Sequence, residues 1–258
     1  MRIRSTDELR ELLERYLEDL AFTRELGGLS EAMQYALDGG GKRIRPLLCL
    51  AVADAHGHDP EAVLPAATAL ELVHTFSLVH DDLPALDDDD VRRGRASTHV
   101  RFGDGVAVIA GDALLAEAFR LALSYPSPGV ARELVQATLG MIGGQYLDVI
   151  GATADELALS RLKTGRLFEA AVACALEVAG VPEADRRPWK AFAADVGVLF
   201  QLVDDILDGD GYAARHGLDE ARRAADAAGE RAHEHLAEVG VDTSVLAELV
   251  GGLATRSS

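Results

Sequence analysis

The sequence predicts an all-α protein, a single-domain helical bundle over residues 1–258, and three observations carry that prediction. Alanine, leucine and glutamate dominate while aromatics are only 5%, which favours helix and starves strands of the side chains they prefer. Apolar residues recur at helical intervals through most of the chain. The 8 prolines fall mostly between these periodic segments, at breaks such as 57–60, 125–129 and 181–183.

The elements follow in order. Ser5-Thr6-Asp7-Glu8 has capping-box spacing, and Leu9, Leu12, Leu13, Tyr16, Leu17 and Leu20 then recur on one helix face. Ser30 is expected to cap a short helix ending at Gly39-Gly40-Gly41. Further helices are expected over 45–56, 61–83, 105–124 and 130–150. Thr153-Ala154-Asp155-Glu156 repeats the capping-box spacing and opens a segment to Lys163. The remaining helices are placed at 167–179, 188–207, 219–239 and 245–253. Several are apolar on most faces, so they are inner members of one bundle. No boundary reads as an interdomain linker, and no repeat of 20–50 residues is present.

Charge narrows the function. The chain carries 25 Lys and Arg against 43 Asp and Glu, a net −18 that repels phosphate backbones and argues against nucleic-acid binding. Cys49 and Cys174 cannot form a disulfide framework and suit a reducing compartment. The apolar run at 106–119 is broken by Asp112 and Glu117, and the amino terminus lacks an apolar signal core, so no membrane span is expected. These features read as a cytoplasmic protein.

Two acidic clusters carry the chemistry. The first is His80-Asp81-Asp82-Leu83-Pro84-Ala85-Leu86-Asp87-Asp88-Asp89-Asp90; the second is Gln201-Leu202-Val203-Asp204-Asp205-Ile206-Leu207-Asp208. Asp204 and Asp208 share a helix face just after an apolar run. Carboxylates facing a bundle interior need compensation, and oxygen-only ligands select Mg²⁺, which takes few carboxylates and completes its shell with water and phosphate. Cations cluster beside glycine at Gly39-Gly40-Gly41-Lys42-Arg43-Ile44-Arg45-Pro46 and at Arg92-Arg93-Gly94. Such loops suit phosphate, although no Ser or Thr follows Lys42 as a Walker A loop requires. Metal-plus-phosphate chemistry accounts for both charge signs together.

At this point the residues resemble a family, the bacterial short-chain polyprenyl diphosphate synthases of the farnesyl diphosphate synthase type. The motifs are GGGKRIRP (39–46), HTFSLVHDDLPALDDDDVRRG (74–94), GGQYLD (143–148), KTGRLF (163–168) and FQLVDDILD (200–208), in the family's order. The resemblance implies an isoprenoid-synthase-type bundle around a central cavity, with the aspartate motifs facing across it. It implies Mg²⁺, three ions with substrate bound, on Asp81, Asp87, Asp204 and Asp208. Arg92, Lys163 and Gln201 would hold an allylic diphosphate, with Thr164 bordering the reacting carbons. Lys42, Arg45, His74 and Arg93 would grip isopentenyl diphosphate. The implied reaction is head-to-tail condensation of isopentenyl diphosphate with dimethylallyl or geranyl diphosphate. A homodimer is also implied, with the helix at 105–124 (Val106, Val108, Ile109, Leu114, Leu115, Phe119) at a two-fold interface.

Phe76 lies five residues before Asp81, about 7.5 Å back along a helix. Its ring is expected to floor the cavity; with the inserted Pro84-Ala85, the resemblance implies a farnesyl product, geranyl and geranylgeranyl diphosphate being the alternatives. One departure stands out. The family continues after the second aspartate motif with lysines that hold the allylic diphosphate, yet no lysine here follows Lys190, leaving Arg215, Arg222 or Arg223 as substitutes. Two other readings stay open. A terpene cyclase or head-to-head synthase would not need the second cationic pocket, and a weakly active or regulatory homologue is suggested by the missing lysines alone.

Overall fold

The computed structural model describes residues 3–152 and 156–254. Helix α1 (Thr6–Glu18) opens on Ser5, with both halves of the capping box formed, and buries Leu9, Leu13 and Leu17. Helix α2 (Leu29–Leu37) starts one residue before Ser30, which therefore does not cap it; the Ser30 hydroxyl instead donates to the Gly27 carbonyl at 2.8 Å. Helices α3 (Ile44–Ala55) and α4 (Pro60–Asp81) are the inner members, buried over most of their lengths. Among the described residues α4 alone has the length and hydropathy of a membrane span, but 72% of its apolar window is buried inside the fold and Glu71 sits at its middle.

After α4 the chain forms a ribbon that the all-α reading missed, β1 (Val91–Arg92) antiparallel to β2 (Arg95–Ala96). Arg93 and Gly94 both take positive φ, as a two-residue hairpin turn requires. Two-residue strands are too short to show a period. Then come α5 (Thr98–Phe102), α6 (Asp104–Ala122) and α7 (Gly129–Val149).

The capping-box spacing at Thr153–Asp155 lies outside the described residues. Helix α8 (Glu156–Ser160) runs without a break through a π-helical turn (Arg161–Gly165) into α9 (Arg166–Val178), where a gap between two helices was expected. Helix α10 (Arg187–Asp208) follows, then a short α11 (Gly211–His216) that the sequence did not announce, α12 (Leu218–Glu238) and α13 (Ser244–Ala254). Helix α3 packs on α4 and α9, α4 on α6, α9 on α7 and α10, and α10 on α12. One buried apolar cluster draws on helices from α1 to α13.

This packing brings both acidic clusters to helix ends. Helix α4 stops at Asp81 and α10 at Asp208. A helix carboxyl terminus carries partial negative charge, so carboxylates placed there call for cations.

Candidate active site

A cavity of about 420 Å³ opens between α4, α7 and the π turn. Its walls include Arg45, His74, Phe76, Asp81, Lys163 and Thr164, six of the residues singled out in the sequence. Asp81 stands half-buried at the rim. Burial pushes its carboxyl up to about 6, with Lys163 opposing the rise and Asp87 adding to it. Asp87 is exposed, on a loop folded back so that its N–H donates to the Asp81 carbonyl at 2.9 Å.

On α10, burial likewise raises the carboxyl of Asp204, against the pull of Lys42, whose Nζ lies 3.5 Å from Asp204 Oδ1. Asp208, one turn on, is exposed. Lys42 comes from the glycine-rich loop between α2 and α3, so the first basic motif meets the second acidic one.

The neighbouring aspartates face elsewhere, a distinction the sequence reading did not draw. Asp82 is 2% exposed and accepts from Arg92 Nε at 2.8 Å, while Arg92 also reaches Asp89 at 2.9 Å. Asp205 is buried, bonded to Gln201 Nε2 at 2.7 Å and to the Tyr212 N–H at 2.9 Å. One step along a helix rotates a side chain by about 100°, so adjacent aspartates cannot share one role.

The cations are held individually. Arg45 is buried, its guanidinium stacked 4.7 Å over Phe168 and 5.3 Å over Phe200, with Nε unpartnered; burial lowers it to about 10. Arg93 donates to the Gly40 carbonyl, and a Cβ on Gly41, whose φ is +135°, would strain the backbone and lie 2.7–2.9 Å from the guanidinium atoms, displacing them. His74 is half-buried, and burial followed by the fields of Arg45 and Arg93 holds it well below its ordinary value, a neutral imidazole. Lys163 pairs with Asp148 of the GGQYLD motif. Thr164 Oγ1 donates to Gln201 Oε1 at 2.9 Å.

Arg43, central in the same basic motif, was given no role by the sequence. It is a clamp: its guanidinium meets Glu71 at 2.5 Å, Glu14 at 3.2 Å and the Leu37 carbonyl at 2.8 Å. The signal was Glu71, a carboxylate inside an apolar helix that required a counter-charge.

Phe76 is 7% exposed and lines the cavity, with its ring edge-to-face with His80 at 5.3 Å. Its expected place on the wall is therefore where the structure puts it. The expected apolar face of α6 needs correction. Val106, Val108 and Ile109 are exposed, but Leu114 is buried and Leu115 and Phe119 pack on the core. Leu139 of α7 is exposed as well, whereas the exposed Ile142 and Tyr146 of the same helix line the cavity.

The donor set fits Mg²⁺: oxygen ligands only, carboxyls raised by burial, and Lys42 and Lys163 already serving as counter-charges. Among the described residues no three potential ligands converge as a ready-made cage, so an ion held here completes its shell with water or phosphate oxygens.

An all-α bundle whose α4 ends in a carboxylate at the rim of an apolar cavity, and whose α10 brings a second carboxylate against the basic loop, has the arrangement of the isoprenoid synthase class. The chain belongs to the polyprenyl synthetase family, whose model matches residues 27–219. It is 40% identical over 193 residues to the geranylgeranyl diphosphate synthase of Cyanophora paradoxa, covering 69% of this chain and 64% of that protein. It is 41% identical over 198 residues to the farnesyl diphosphate synthase of Bacillus subtilis, covering 71% and 67%. The match thus spans about two thirds of each relative's length. The solved geranyltransferase from Legionella pneumophila superposes with a TM-score of 0.86 at 31% identity, over 98% of this chain and 95% of that one.

Proposed function

We propose that the protein is a prenyltransferase that condenses isopentenyl diphosphate head-to-tail with dimethylallyl or geranyl diphosphate and stops at farnesyl diphosphate. The observation that carries this reading is that Arg45, His74, Asp81 and Lys163 line one apolar cavity, while Lys42 of the adjoining basic loop meets Asp204 of the second acidic cluster and Arg92 meets Asp82 of the first. One diphosphate needs one set of cations; cations beside each acidic cluster suit two substrates.

Asp81, Asp87, Asp204 and Asp208 would hold Mg²⁺, three ions with substrate bound, which supplies neutralisation of the departing diphosphate. Arg92 and Lys163 then hold the allylic diphosphate by charge-assisted hydrogen bonds. Lys42, Arg45 and Arg93 fix isopentenyl diphosphate, with neutral His74 as a hydrogen-bond partner, so that its double bond waits at attack distance. Thr164 and Gln201 face the allylic carbons with dipoles, and the apolar wall excludes water that would quench the cation. The departed diphosphate takes the proton lost at the end. Phe76 limits the tail, which favours the farnesyl product over the geranylgeranyl product named for the Cyanophora relative. Arg215, Arg222 or Arg223, on α11 and α12, would replace the family's missing lysines. Two buried thiols suit a reducing cytoplasm, and the exposed apolar patch on α6 and α7 suits a homodimer.

The test is purified protein with Mg²⁺, isopentenyl diphosphate and either primer, products resolved by length. Asp81→Ala and Asp204→Ala should each abolish turnover with helical content intact. Near-normal activity of either variant in EDTA would overturn the metal-dependent reading.

A further inference from the structure

Asp205 neighbours Asp204 in sequence but belongs to a different network. Its Oδ1 accepts from Gln201 Nε2 at 2.7 Å, and its Oδ2 accepts from the Tyr212 backbone N–H at 2.9 Å. An ionised carboxylate accepts and cannot donate. Gln201 therefore presents its NH₂ group to Asp205, and its amide oxygen must face the other way. There it accepts the Thr164 hydroxyl at 2.9 Å. The Thr164 proton is thereby placed on the Gln201 side, and the oxygen's remaining lone pair is left for the cavity that Thr164 lines.

We propose that Asp205 is a positioning residue that sets the polarity of Thr164 through Gln201, turning a lone pair toward the allylic carbon that becomes positive. This rests on the prenyl transfer proposed above and adds a residue that does not touch substrate. In the ionisation the allylic C–O bond breaks, its electron pair leaves on the diphosphate oxygen, and positive charge remains on the allylic carbons. A lone pair facing those carbons stabilises the charge only as it develops, so the effect falls on kcat. With the Gln201 amide reversed, Thr164 would accept from NH₂ and direct its proton into the cavity, the unfavourable polarity.

The same carboxylate ties this relay to the shortened segment after Asp208. A Cβ on Gly211 would lie 2.6–2.8 Å from the Asp205 carboxylate atoms, and Gly211 has φ of +47°. Glycine alone lets the chain close this tightly, so the start of α11 is seated on the group that orients Gln201.

Asp205→Asn is the discriminating change. Its single oxygen is claimed by the fixed Tyr212 N–H, its NH₂ faces Gln201, and the Gln201 amide turns over. The expected result is a kcat lowered about 10- to 100-fold, the range typical of groups that orient a reacting side chain, with KM for both diphosphates and the Mg²⁺ requirement unchanged. In a Thr164→Val background, where no lone pair remains to orient, Asp205→Asn should cost nothing further; Thr164→Ser should keep its full effect. An equal loss of kcat in the Thr164→Val background would overturn the proposal, because Asp205 would then act through Asp204 or through the fold. If Asp205→Asn does not fold by circular dichroism, Asp205→Ala removes the acceptor that fixes the Gln201 amide, and the same cycle with Thr164→Val decides. A wild-type protein that forms no prenyl diphosphate from either primer defeats the proposed function itself, whereas turnover with an additive cycle defeats only the relay.

Discussion

Removing the carboxylate of Glu71 should unfold the protein earlier without touching the cavity, and the size of the effect can be worked from the clamp around Arg43. Both side chains of the pair are 3% exposed, so Glu71→Leu leaves a guanidinium buried against a carboxylate that is gone. Breaking a buried ion pair by deleting one partner costs about 3–5 kcal/mol. The lower end applies, because Glu14 at 3.2 Å and the Leu37 carbonyl at 2.8 Å still hold the guanidinium. For a chain of this size each kcal/mol moves Tm by about 2–4 °C, so a loss of about 3 kcal/mol lowers it by about 6–12 °C. Adding Arg43→Met to Glu71→Leu removes the orphaned charge, and stability should return to within about 1 kcal/mol of wild type. The kinetics of the double variant should nonetheless differ from wild type. Arg43 also anchors the loop that carries Gly41 and Lys42, so the double variant should show a raised KM for isopentenyl diphosphate. Thermal and urea unfolding by far-UV circular dichroism measure the first part, and steady-state kinetics the second. A single variant as stable as wild type would refute the buried-pair argument; a double variant as unstable as the single would place the cost in packing instead.

Three further outcomes are expected. Phe76→Ala lowers the cavity floor by about one helical turn, 5.4 Å, to the next residues of α4, so products should lengthen to C20 or beyond while turnover persists; a variant still stopping at C15 would remove Phe76 as the floor. The apolar patch on α6 and α7, where Ile109 is 56% and Leu139 59% exposed, should be covered by a second copy, and a monomer in sedimentation at micromolar concentration would contradict this. His74 has a pKa held well below its ordinary 6.5 in the fold, so below that pH the unfolded chain binds the extra proton and stability falls as the medium is acidified. His74→Gln should flatten the decline between about pH 6.5 and 5, and equal slopes for both proteins would refute that assignment.

The sequence made much of this legible because its strongest signals are local. A capping box at Ser5 and an apolar run before Asp204 each act within a few residues, and each formed where it was read. What escaped depends on contacts between distant segments. The π turn holding Lys163 and Thr164 keeps helical backbone throughout, so nothing in its composition marks the extra residue. The short ribbon at Val91–Ala96 exists to turn Arg92 back onto Asp82 and send Arg93 to Gly40, partners 10 and 53 residues away. The split between Asp81 and Asp82, or Asp204 and Asp205, follows from helix rotation. It becomes definite only when Arg92 and Gln201 are seen to occupy the inward-facing member of each pair.

Those partnerships also bear on how the site spends its charge. Lys42 stands against Asp204, Lys163 against Asp148, and Arg92 against Asp82 and Asp89. A diphosphate entering the cavity must therefore take these cations from carboxylates that already hold them. Exchanging one ion pair for another gains little in the ground state, since the cations were never left uncompensated. The gain is larger once negative charge builds on the departing oxygen, because a fully formed diphosphate anion competes for the same donors better than its ester does. In the proposed reaction, prior pairing would shift the benefit of these cations from binding the substrate to stabilising its ionisation, the step to which the proposal also assigns Thr164 and Gln201.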